Sequence, residues 1–551
     1  MPRENAMTTI LIAGGDVVDG TGRERTRADV LVEGDRIVRV GADIPASEAD
    51  AVIDAGGLVV APGFIDIHSH YDAQIFWEHE LSSSCHHGVT SVINGNCGFA
   101  IAPCSRENRA LVIEMLRDQE DMHPDTLDAA LPPEFASFAS YLDAVAKRGP
   151  MLNFGCFLGH SAIRIAAMGA DAFEREASGS EVAAMALLTR EGLEAGAMGI
   201  ATKTMPRAAR TASQQASETE VMALLEALRD HGRGVAMFNA GGNFDLEKVH
   251  EVQQRIARPF TWIALLAMPG GQHEKFLDMH RDWRARGADI RPQVSCRPLI
   301  ARNRMSMPSI MRSPLMAALN PASEEQRIAA YADPGWRDAM RGELRSNTGE
   351  HIDWNHVTLE HSPSAPGLAG RTLAGIGAAQ GVDPLDALLD LAVTDSLATS
   401  FIFTYGNDDP AEVTRLLNEE GAVLGLSDAG AHPEQICDAV LPTDLLGNWV
   451  RERGAMPLET AVHKLTQEPA ELMGIAGRGT IAEGCYADIC VFDPVSVGPG
   501  ELRKANDLPA GRERLLADRP TGIHHMLVNG ILVRASERTV PAHSGRILRP
   551  Q

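Results

Sequence analysis

The middle of the chain, from about Pro62 to Gly477, alternates short apolar runs with longer segments of helical periodicity. Apolar runs bounded by glycine or proline are typical of buried strands in a parallel sheet. Apolar residues that return every three or four positions indicate amphipathic helices, as in residues 181–195, 218–231 and 273–286. The runs that qualify as strands are GFIDIHSH, GVTSVINGNCG, MLNFGCFLGH, GAMGIATK, GRGVAMFN, PFTWIALLA, ADIRPQVSC and GAVLGLSD.

Eight strands, most of them followed by a helix, predict an α/β fold with a TIM-like (β/α)8 barrel over residues 61–477. The active site of such a barrel forms where the carboxyl ends of its strands meet. Polar residues stand at or near these ends, and we expect them to surround one site. They are His68, His70, Cys97, His160, Lys203, Asn239, Cys296 and Asp428.

Both ends of the chain have a different pattern, with short β-rich runs separated by Gly and Asp turns. Examples are ADVLVEGDRIVRVG near the amino end and GIHHMLVNGILVRA near the carboxyl end, where Asn529 and Gly530 predict a hairpin turn. We therefore expect residues 1–60 and 478–551 to build one small β-sandwich from both chain ends.

Two segments of the barrel region exceed ordinary connecting loops, one near residues 105–150 and the other near residues 297–361. Long loops on the catalytic rim of a barrel are commonly lids or specificity elements. We expect both segments to cover the site, with contacts between chains of a homo-oligomer as the alternative.

The composition of the chain argues against some classes of binding partner. The formal net charge of −24 argues against a nucleic-acid surface, because such surfaces concentrate Lys and Arg. The sequence shows neither a signal peptide nor an apolar run long enough to predict a membrane span. Eight cysteines scattered along the chain fit a reducing cytoplasm. We expect a cytoplasmic protein that acts on a small molecule.

The stretch APGFIDIHSH, residues 61–70, ends its predicted strand in two histidines. Residues two apart in a strand project from the same face, so His68 and His70 can offer their imidazole nitrogens to one point. Zinc accepts such ligands, and we predict a site for one or two divalent ions. Two unrelated surface histidines are the alternative.

The same stretch, extended to PGFIDIHSHYDAQ, resembles the metal-binding first strand of the amidohydrolase superfamily. The segment HHGVTSVINGNCGFAIAPC, which contains Cys97, is similar to the N-acyl-D-amino-acid deacylase (D-aminoacylase) family in particular. The stretches GLSDAGAH, LETAVHKLTQEPAELMGI and EGCYADICVFDP match motifs of the same family, so the resemblance covers nearly the whole chain.

The resemblance implies roles at three strand ends. Asp428 corresponds to the catalytic aspartate at the metal, which accepts a proton from water and returns it to the departing nitrogen. Cys97 corresponds to a thiolate ligand of zinc. In GHSAIR, we expect His160 in the oxyanion or metal shell and Arg164 in substrate orientation. The alternatives are a helix cap for Asp428, a small buried hydrophobe for Cys97 and a surface ion pair for Arg164.

The sequence departs from the family pattern at the fifth and sixth strands, where the better-known deacylases carry histidines that complete their tight metal site. The stretches GVAMFNAGG and TWIALLAMPGG offer Asn239 and no histidine. Other residues must complete the ligand set, or fewer metals bind. Some amidohydrolases carry a carboxylated lysine at the fourth strand, where Lys203 stands. The alternatives for Lys203 are a cation that pairs with a substrate carboxylate and a solvated loop lysine.

Asn239, Arg297 and His432 are further candidates for contact with the substrate, and a loop histidine without function is the alternative for His432. The combined prediction is a zinc-dependent amide hydrolase that removes the acyl group of an N-acyl-D-amino acid or a close relative. Hydrolysis of another amide, a cyclic amide or a carbamate is the main alternative. A catalytically idle binding barrel is the remote one.

Overall fold

The computed structural model describes residues 9–205, 211–241, 244–306, 313–319, 321–345 and 352–551. Within these ranges, parallel strands occupy the eight positions that the sequence predicts, and we number them barrel strands one to eight. In chain order they are Phe64–Asp66, Val89–Asn94, Asn153–Cys156 with Leu158–Gly159, Gly199–Lys203, Val235–Asn239, Phe260–Trp262, Ile290–Val294 and Val423–Leu424.

The strands close into a barrel at two seams. Strand three is interrupted, and its first part pairs with strand two while its second part pairs with strand four. Strand one meets the residues after strand eight, because the N–H of His70 donates to the carbonyl of Ala429 at 2.7 Å. The N–H of Asp428 donates to the carbonyl of His68 at 3.1 Å. The fold class predicted from the sequence is confirmed.

Helices follow most strands and cover the outside of the barrel. The three helices predicted from periodicity span Gly179–Ala195, Glu218–His231 and His273–Ala285. No helix in the described ranges is both long and apolar enough to cross a membrane. Further helices of the barrel region are His160–Met168, Val249–Ile256, Pro410–Leu417, Leu441–Asp444, Leu458–Leu465 and Gln467–Met473, with a π-helix at Leu445–Glu452.

Strands from both chain ends join in one sheet, which counts nine strands among the described residues. Val59–Pro62 and Ile489–Phe492 pair antiparallel, and this pairing connects the two ends. Asn529 and Gly530, at φ 50° and 76°, form the predicted hairpin turn. The other strands are Thr9–Val17, Thr26–Glu33, Arg36–Gly41, Ala51–Asp54, Ile523–Val528, Ile531–Ala535 and Arg538–Thr539, and a separate hairpin joins Arg503–Leu508 to Arg512–Leu516.

The first insertion contains helices α1 (Arg109–Glu120), α2 (Pro124–Ala130) and α3 (Phe138–Arg148). Helix α1 ends where Asp121 adopts the left-handed conformation, at φ 53°. This end lies at the barrel rim, because the backbone carbonyl of Glu120 accepts a hydrogen bond from the N–H of His432 at 2.7 Å.

The second insertion lies between strands seven and eight and has a hydrophobic core of its own, which includes Met305, Tyr331, Leu388 and Phe401. The sequence places this insertion near residues 297–361, whereas its sheet and core continue to Gly406. Residues 307–312, 320 and 346–351 of the predicted segment lie outside the described residues. Its strands are Leu299–Arg304, Val357–His361 and Ser400–Gly406, and its helices are Pro314–Ala318, Glu324–Ala332, Pro334–Arg345, Leu373–Gln380 and Pro384–Thr394.

Candidate active site

Closure of the barrel brings the carboxylate after strand eight against the two histidines after strand one. Nε2 of His68 lies 3.1 Å from Oδ1 of Asp428, and Nε2 of His70 lies 3.6 Å from the same oxygen. Both imidazoles are buried, whereas the Asp428 side chain keeps 28% of its surface exposed at a cavity. Groups 360 positions apart in the sequence therefore meet at one point.

Cys97 reaches the same point from the turn after strand two. Its φ of 55° is unusual for a residue with a side chain, and it follows Gly95 and precedes Gly98, both also at positive φ. Its Sγ lies 3.6 Å from Nε2 of His68. Donor atoms of His68, His70 and Cys97 all lie within 4.8 Å of one another, which is the spacing of ligands around one metal ion.

The charges of these groups favour a cation between them. Burial alone would raise the pKa of the Cys97 thiol, but the imidazoles of His68 and His70 lower it to about 7. Burial also opposes the charged form of His68, yet the Cys97 thiolate and the Asp428 carboxylate raise its pKa to about 10. Hydrogen bonds from both histidines outweigh burial and hold the pKa of Asp428 well below its usual value. A divalent ion supplies the positive charge that these donors favour.

The two histidines are held differently at their second ring nitrogen. Nδ1 of His68 donates to Oε1 of Gln293 at 2.7 Å, which directs Nε2 to the site. Nδ1 of His70 is buried without a hydrogen-bond partner among the described residues, and Oε1 of Glu120 lies 3.8 Å from it. Two imidazole nitrogens, a thiolate and a carboxylate are a donor set that zinc accepts, so the residues fit this metal.

One further group in the described part of the chain, His273, Glu274 and Glu412, has metal-like spacing. Arg415 pairs with both carboxylates, and half of the Glu274 side chain is exposed. The arginine already balances these acidic groups, so we assign them to a surface ion-pair network rather than to a metal site.

His70, Cys97 and Asp428 line a cavity of about 290 Å³. Its lining is mixed, as in sites for small organic ligands. Apolar side chains come from Phe99, Met205, Ile263, Leu266, Leu299 and Leu426, and polar ones from Lys203, Asn239, Ser295, Arg297 and His432. The predicted substrate-contact residues Asn239, Arg297 and His432 therefore share one cavity with the metal donors.

Gln119 and Phe99 contact the Lys203 side chain on the cavity wall. Its Nζ donates to Oε1 of Gln119 at 3.0 Å and lies 4.7 Å from the centre of the Phe99 ring. The side chain is only 4% exposed, which argues against a solvated loop lysine. A cation over an aromatic face is attracted by the ring, whereas an anionic carbamate is not, so this environment favours the ammonium form.

Arg297 and Asn239 differ in how well their polar atoms are paired. Nε of Arg297 donates to Oδ1 of Asp438 at 2.9 Å, and NH1 lies 3.3 Å from Oδ1 of Asp444. Two carboxylates already balance its charge, so the structure does not favour Arg297 as a substrate anchor. Oδ1 of Asn239 is buried beside the cavity with no hydrogen-bond partner in the described ranges.

The structure corrects the predicted roles of His160 and Arg164. Nδ1 of His160 lies 2.7 Å from Oγ1 of Thr202, and its Nε2 donates to Oε1 of Glu220 at 2.7 Å. Arg164 donates to the other oxygen of Glu220. Both side chains are fully buried and neither lines the cavity. His160 has no ring nitrogen left for an oxyanion or a metal, and Arg164 anchors a buried ion pair instead of a substrate.

Gln293 and Glu120 are residues of the site that the sequence analysis missed. Gln293 had a signal, since it is a polar residue one position before the end of strand seven, where the site of a barrel forms. Glu120 had none, because it ends a helix in a rim insertion. Oε2 of Glu120 lies 3.8 Å from Nε2 of His432, whose Nδ1 pairs with Asp121. This pairing outweighs burial and raises the pKa of His432 to about 9.

Residues 51–533 match the amidohydrolase family. The D-aminoacylase of Alcaligenes xylosoxydans xylosoxydans is 29% identical over 542 residues, which cover 98% of this chain and 97% of the relative. The N-acyl-D-glutamate deacylase of the same organism is 31% identical over 552 residues, which cover 98% and 96%.

Solved structures of such enzymes resemble the whole molecule. A D-aminoacylase described as having a binuclear metal center superimposes with a TM-score of 0.67 at 27% identity, over 98% of this chain and 99% of the other. The N-acyl-D-glutamate deacylase of Bordetella bronchiseptica, solved with zinc and a phosphonate mimic of the tetrahedral intermediate, gives 0.65 at 26% identity, over 99% and 100%.

Proposed function

We propose that this chain, which belongs to the amidohydrolase family of carbon–nitrogen hydrolases, removes the acyl group of N-acyl-D-amino acids at a zinc centre. The observation that carries the proposal is the meeting of His68, His70, Cys97 and Asp428 at one point, three of them in the wall of one cavity. The full-length similarity to two deacylases of acylated D-amino acids supports this choice of substrate.

His68, His70, Cys97 and Asp428 would hold the zinc ion. When bound, such an ion polarises an amide carbonyl and lowers the pKa of water to about 7. Asp428 is ionised and exposed to the cavity, so its carboxylate can accept a proton from the attacking water. The protonated carboxyl group can then give this proton to the amine nitrogen. The amine is a poor leaving group until it is protonated.

We propose one zinc ion per chain, although a D-aminoacylase relative has a binuclear center. Strand five ends in Asn239, and Ile263 follows strand six, so neither position supplies the imidazole that deacylases have there. Lys203 would be needed as a carbamate to bridge a second ion, and its contact with Phe99 favours the cation instead.

Lys203 is the cation that we assign to the carboxylate of the substrate. It lines the cavity with the metal donors, and its ammonium group can form several hydrogen bonds. The rival assignment, a carboxylated Lys203, predicts an intact mass larger by one carbon dioxide. Native mass spectrometry that finds this added mass would contradict both the anchor role and the single ion.

The test of the function is metal analysis of the purified protein combined with a hydrolysis panel of N-acetyl-D- and N-acetyl-L-amino acids. We expect about one zinc per chain and release of free amine from the D substrates only. Equal turnover of L substrates would contradict the stereochemistry. Turnover of hydantoins or carbamates alone would favour the second candidate, a hydrolase of another amide, cyclic amide or carbamate, which the unusual ends of strands five and six keep open.

We propose that the protein works in the cytoplasm, because its eight cysteines are free thiols that a reducing compartment preserves. We also propose that the two insertions cover the site, with contacts between chains of a homo-oligomer as the alternative. Light scattering of the purified protein measures the oligomeric state, and a monomeric mass would exclude this alternative.

A further inference from the structure

Helix α1 ends at Glu120, and the first rim insertion thereby places a carboxylate in the active-site wall. Glu120 is 3% exposed and lines the same cavity as His70, Cys97 and Asp428. Its Oε1 lies 3.8 Å from Nδ1 of His70. A buried carboxylate is costly unless charges or hydrogen bonds compensate for the lost water, so this position requires a partner.

Two imidazoles approach this carboxylate at 3.8 Å, because Nε2 of His432 lies near Oε2 and the second ring nitrogen of His70 lies near Oε1. Nδ1 of His70 is buried and has no hydrogen-bond partner in the described part of the chain, whereas Nδ1 of His68 has Gln293 at 2.7 Å. Histidines that bind metals through one nitrogen commonly donate the other N–H to a carboxylate or a carbonyl, which fixes the ring. The Glu120 carboxylate stands where it can supply this second contact to His70.

The backbone around Glu120 is tied to the loop that carries Asp428. The N–H of His432 donates to the carbonyl of Glu120 at 2.7 Å. The neighbouring Asp121 pairs with Nδ1 of His432 and accepts from Nε2 of Gln435 at 2.8 Å. These contacts hold the end of α1 against the loop that carries Asp428.

We propose that Glu120 is a positioning residue of the metal centre. Its carboxylate accepts a hydrogen bond from the Nδ1–H group of His70 and so orients Nε2 of this ring toward the ion. The inference rests on the zinc centre of the proposed function. It also assigns a role to the first rim insertion, because metal binding and the placement of α1 then stabilise each other.

The experiment compares zinc affinities, by competition with a chelator, of the wild type, Glu120→Gln and Asp118→Asn. Glutamine keeps the size of the side chain but accepts a ring N–H less strongly than a carboxylate does. We expect about 10- to 100-fold weaker zinc binding in Glu120→Gln, the usual cost of losing such an outer partner. Asp118→Asn, which removes an exposed carboxylate of the same helix that pairs with Arg117, should change the affinity less than about threefold.

The outcomes separate positioning from other roles. Wild-type affinity in Glu120→Gln, or equal losses in both variants, would overturn the proposal, since the effect would then be absent or due to the fold of the insertion. Cobalt-substituted Glu120→Gln should keep the wild-type absorption spectrum. A changed spectrum would mean that Glu120 binds the ion directly and would also overturn it. A wild type that binds no zinc would instead refute the metal centre of the proposed function.

A measurement on the wild type alone covers the case in which Glu120→Gln does not fold. Hydrogen exchange is followed for the segment 115–123 in the zinc-loaded enzyme and after chelation. We expect slower exchange in the loaded enzyme, because His70, Glu120 and the end of α1 are then held together. Identical exchange in the two states would contradict the coupling.

Discussion

Asp428 is the residue on which the chemistry converges, because one of its oxygens contacts both metal-site histidines while the side chain stays open to the cavity. Its ionised state follows from those two contacts, which outweigh its burial. Cys97 is the second anionic donor, and its lowered pKa of about 7 makes the thiolate available near neutral pH. Single substitutions therefore separate chemistry from metal binding.

Asp428→Asn should lower kcat by about two to four orders of magnitude even at saturating zinc, because the amide oxygen can still bind the ion but cannot accept the proton that the carboxylate takes. Steady-state kinetics and metal content of the same preparation measure both effects. Turnover at the wild-type rate in the zinc-loaded variant would refute the assignment of Asp428.

Cys97→Ser should weaken zinc binding by more than the roughly 10- to 100-fold that is lost when a residue hydrogen-bonded to a ligand is replaced, because it removes a ligand itself. The cobalt-substituted wild type should show a thiolate-to-cobalt absorption band, and the variant should lack it. Cys104→Ser is the matched control, since burial raises the pKa of Cys104 to about 11 and keeps it a thiol. A band that survives in Cys97→Ser would exclude Cys97 as a ligand.

At the scale of elements, the site depends on how closely the loop after strand eight approaches strand one. Gly430, at φ 97°, lies against the backbone of His70, and a Cβ on it would come within 2.7 Å of the His70 carbonyl group. Only glycine allows this approach without strain. The packing of one loop on one strand thus fixes the distance between Asp428 and the two histidines.

Gly430→Ala should displace this loop and lower kcat/KM by about tenfold or more, since shifts near 1 Å can cost about 100-fold in rate. Gly454→Ala is the control, because Gly454 also has a positive φ, 62°, but a Cβ added to it would meet no described residue within 4 Å beyond its chain neighbours. Kinetics on both variants, with thermal stability measured in parallel, test the contact. Equal losses in the two variants would attribute the effect to backbone conformation alone.

At the scale of the whole molecule, buried polar contacts join the barrel to the carboxyl-terminal segment. His87 precedes strand two, and its Nδ1 lies 2.7 Å from Oγ1 of Thr443. Its Nε2 donates to the carbonyl of Ala517 at 2.7 Å, which connects the barrel to the carboxyl-terminal segment. Burial lowers the pKa of His87 to about 3, so the ring is neutral in the folded protein.

His87 should make the folded state less stable as the pH falls below about 6.5, the ordinary histidine value, down to about 3. In that interval the unfolded chain binds a proton that the folded chain does not, which changes stability by about 1.4 kcal/mol per pH unit. At pH 8, His87→Gln should be less stable than the wild type. Below pH 6.5, its stability should fall less steeply with pH, because the proton uptake that accompanies unfolding is smaller by about one proton. Denaturant midpoints at pH 5 to 8 measure this, with the more exposed His356→Gln as control; an unchanged dependence in His87→Gln would contradict the neutral ring.

Much of the fold and part of the site could be predicted from the sequence. The eight strand positions follow from apolar runs bounded by glycine and proline, and the pairing of His68 with His70 follows from strand geometry. The roles of His160 and Arg164 could not be predicted, because both point into a buried ion pair with Glu220, which lies on a helix 56 to 60 positions away. The extent of the second insertion also escaped, because its core is assembled from residues on both sides of the predicted boundary.

The sequence by itself determined the period of each element and the residue types at the strand ends, because both depend on neighbours close along the chain. These local properties specified the barrel, the chain-end strands and the chemistry available to the site. Only the tertiary structure decided which polar groups meet, since the Asp428 contact to strand one and the Glu120 contact to His70 depend on barrel closure and on the docking of an insertion. Distances between segments far apart in sequence are set by packing of the whole chain, and no local pattern encodes them.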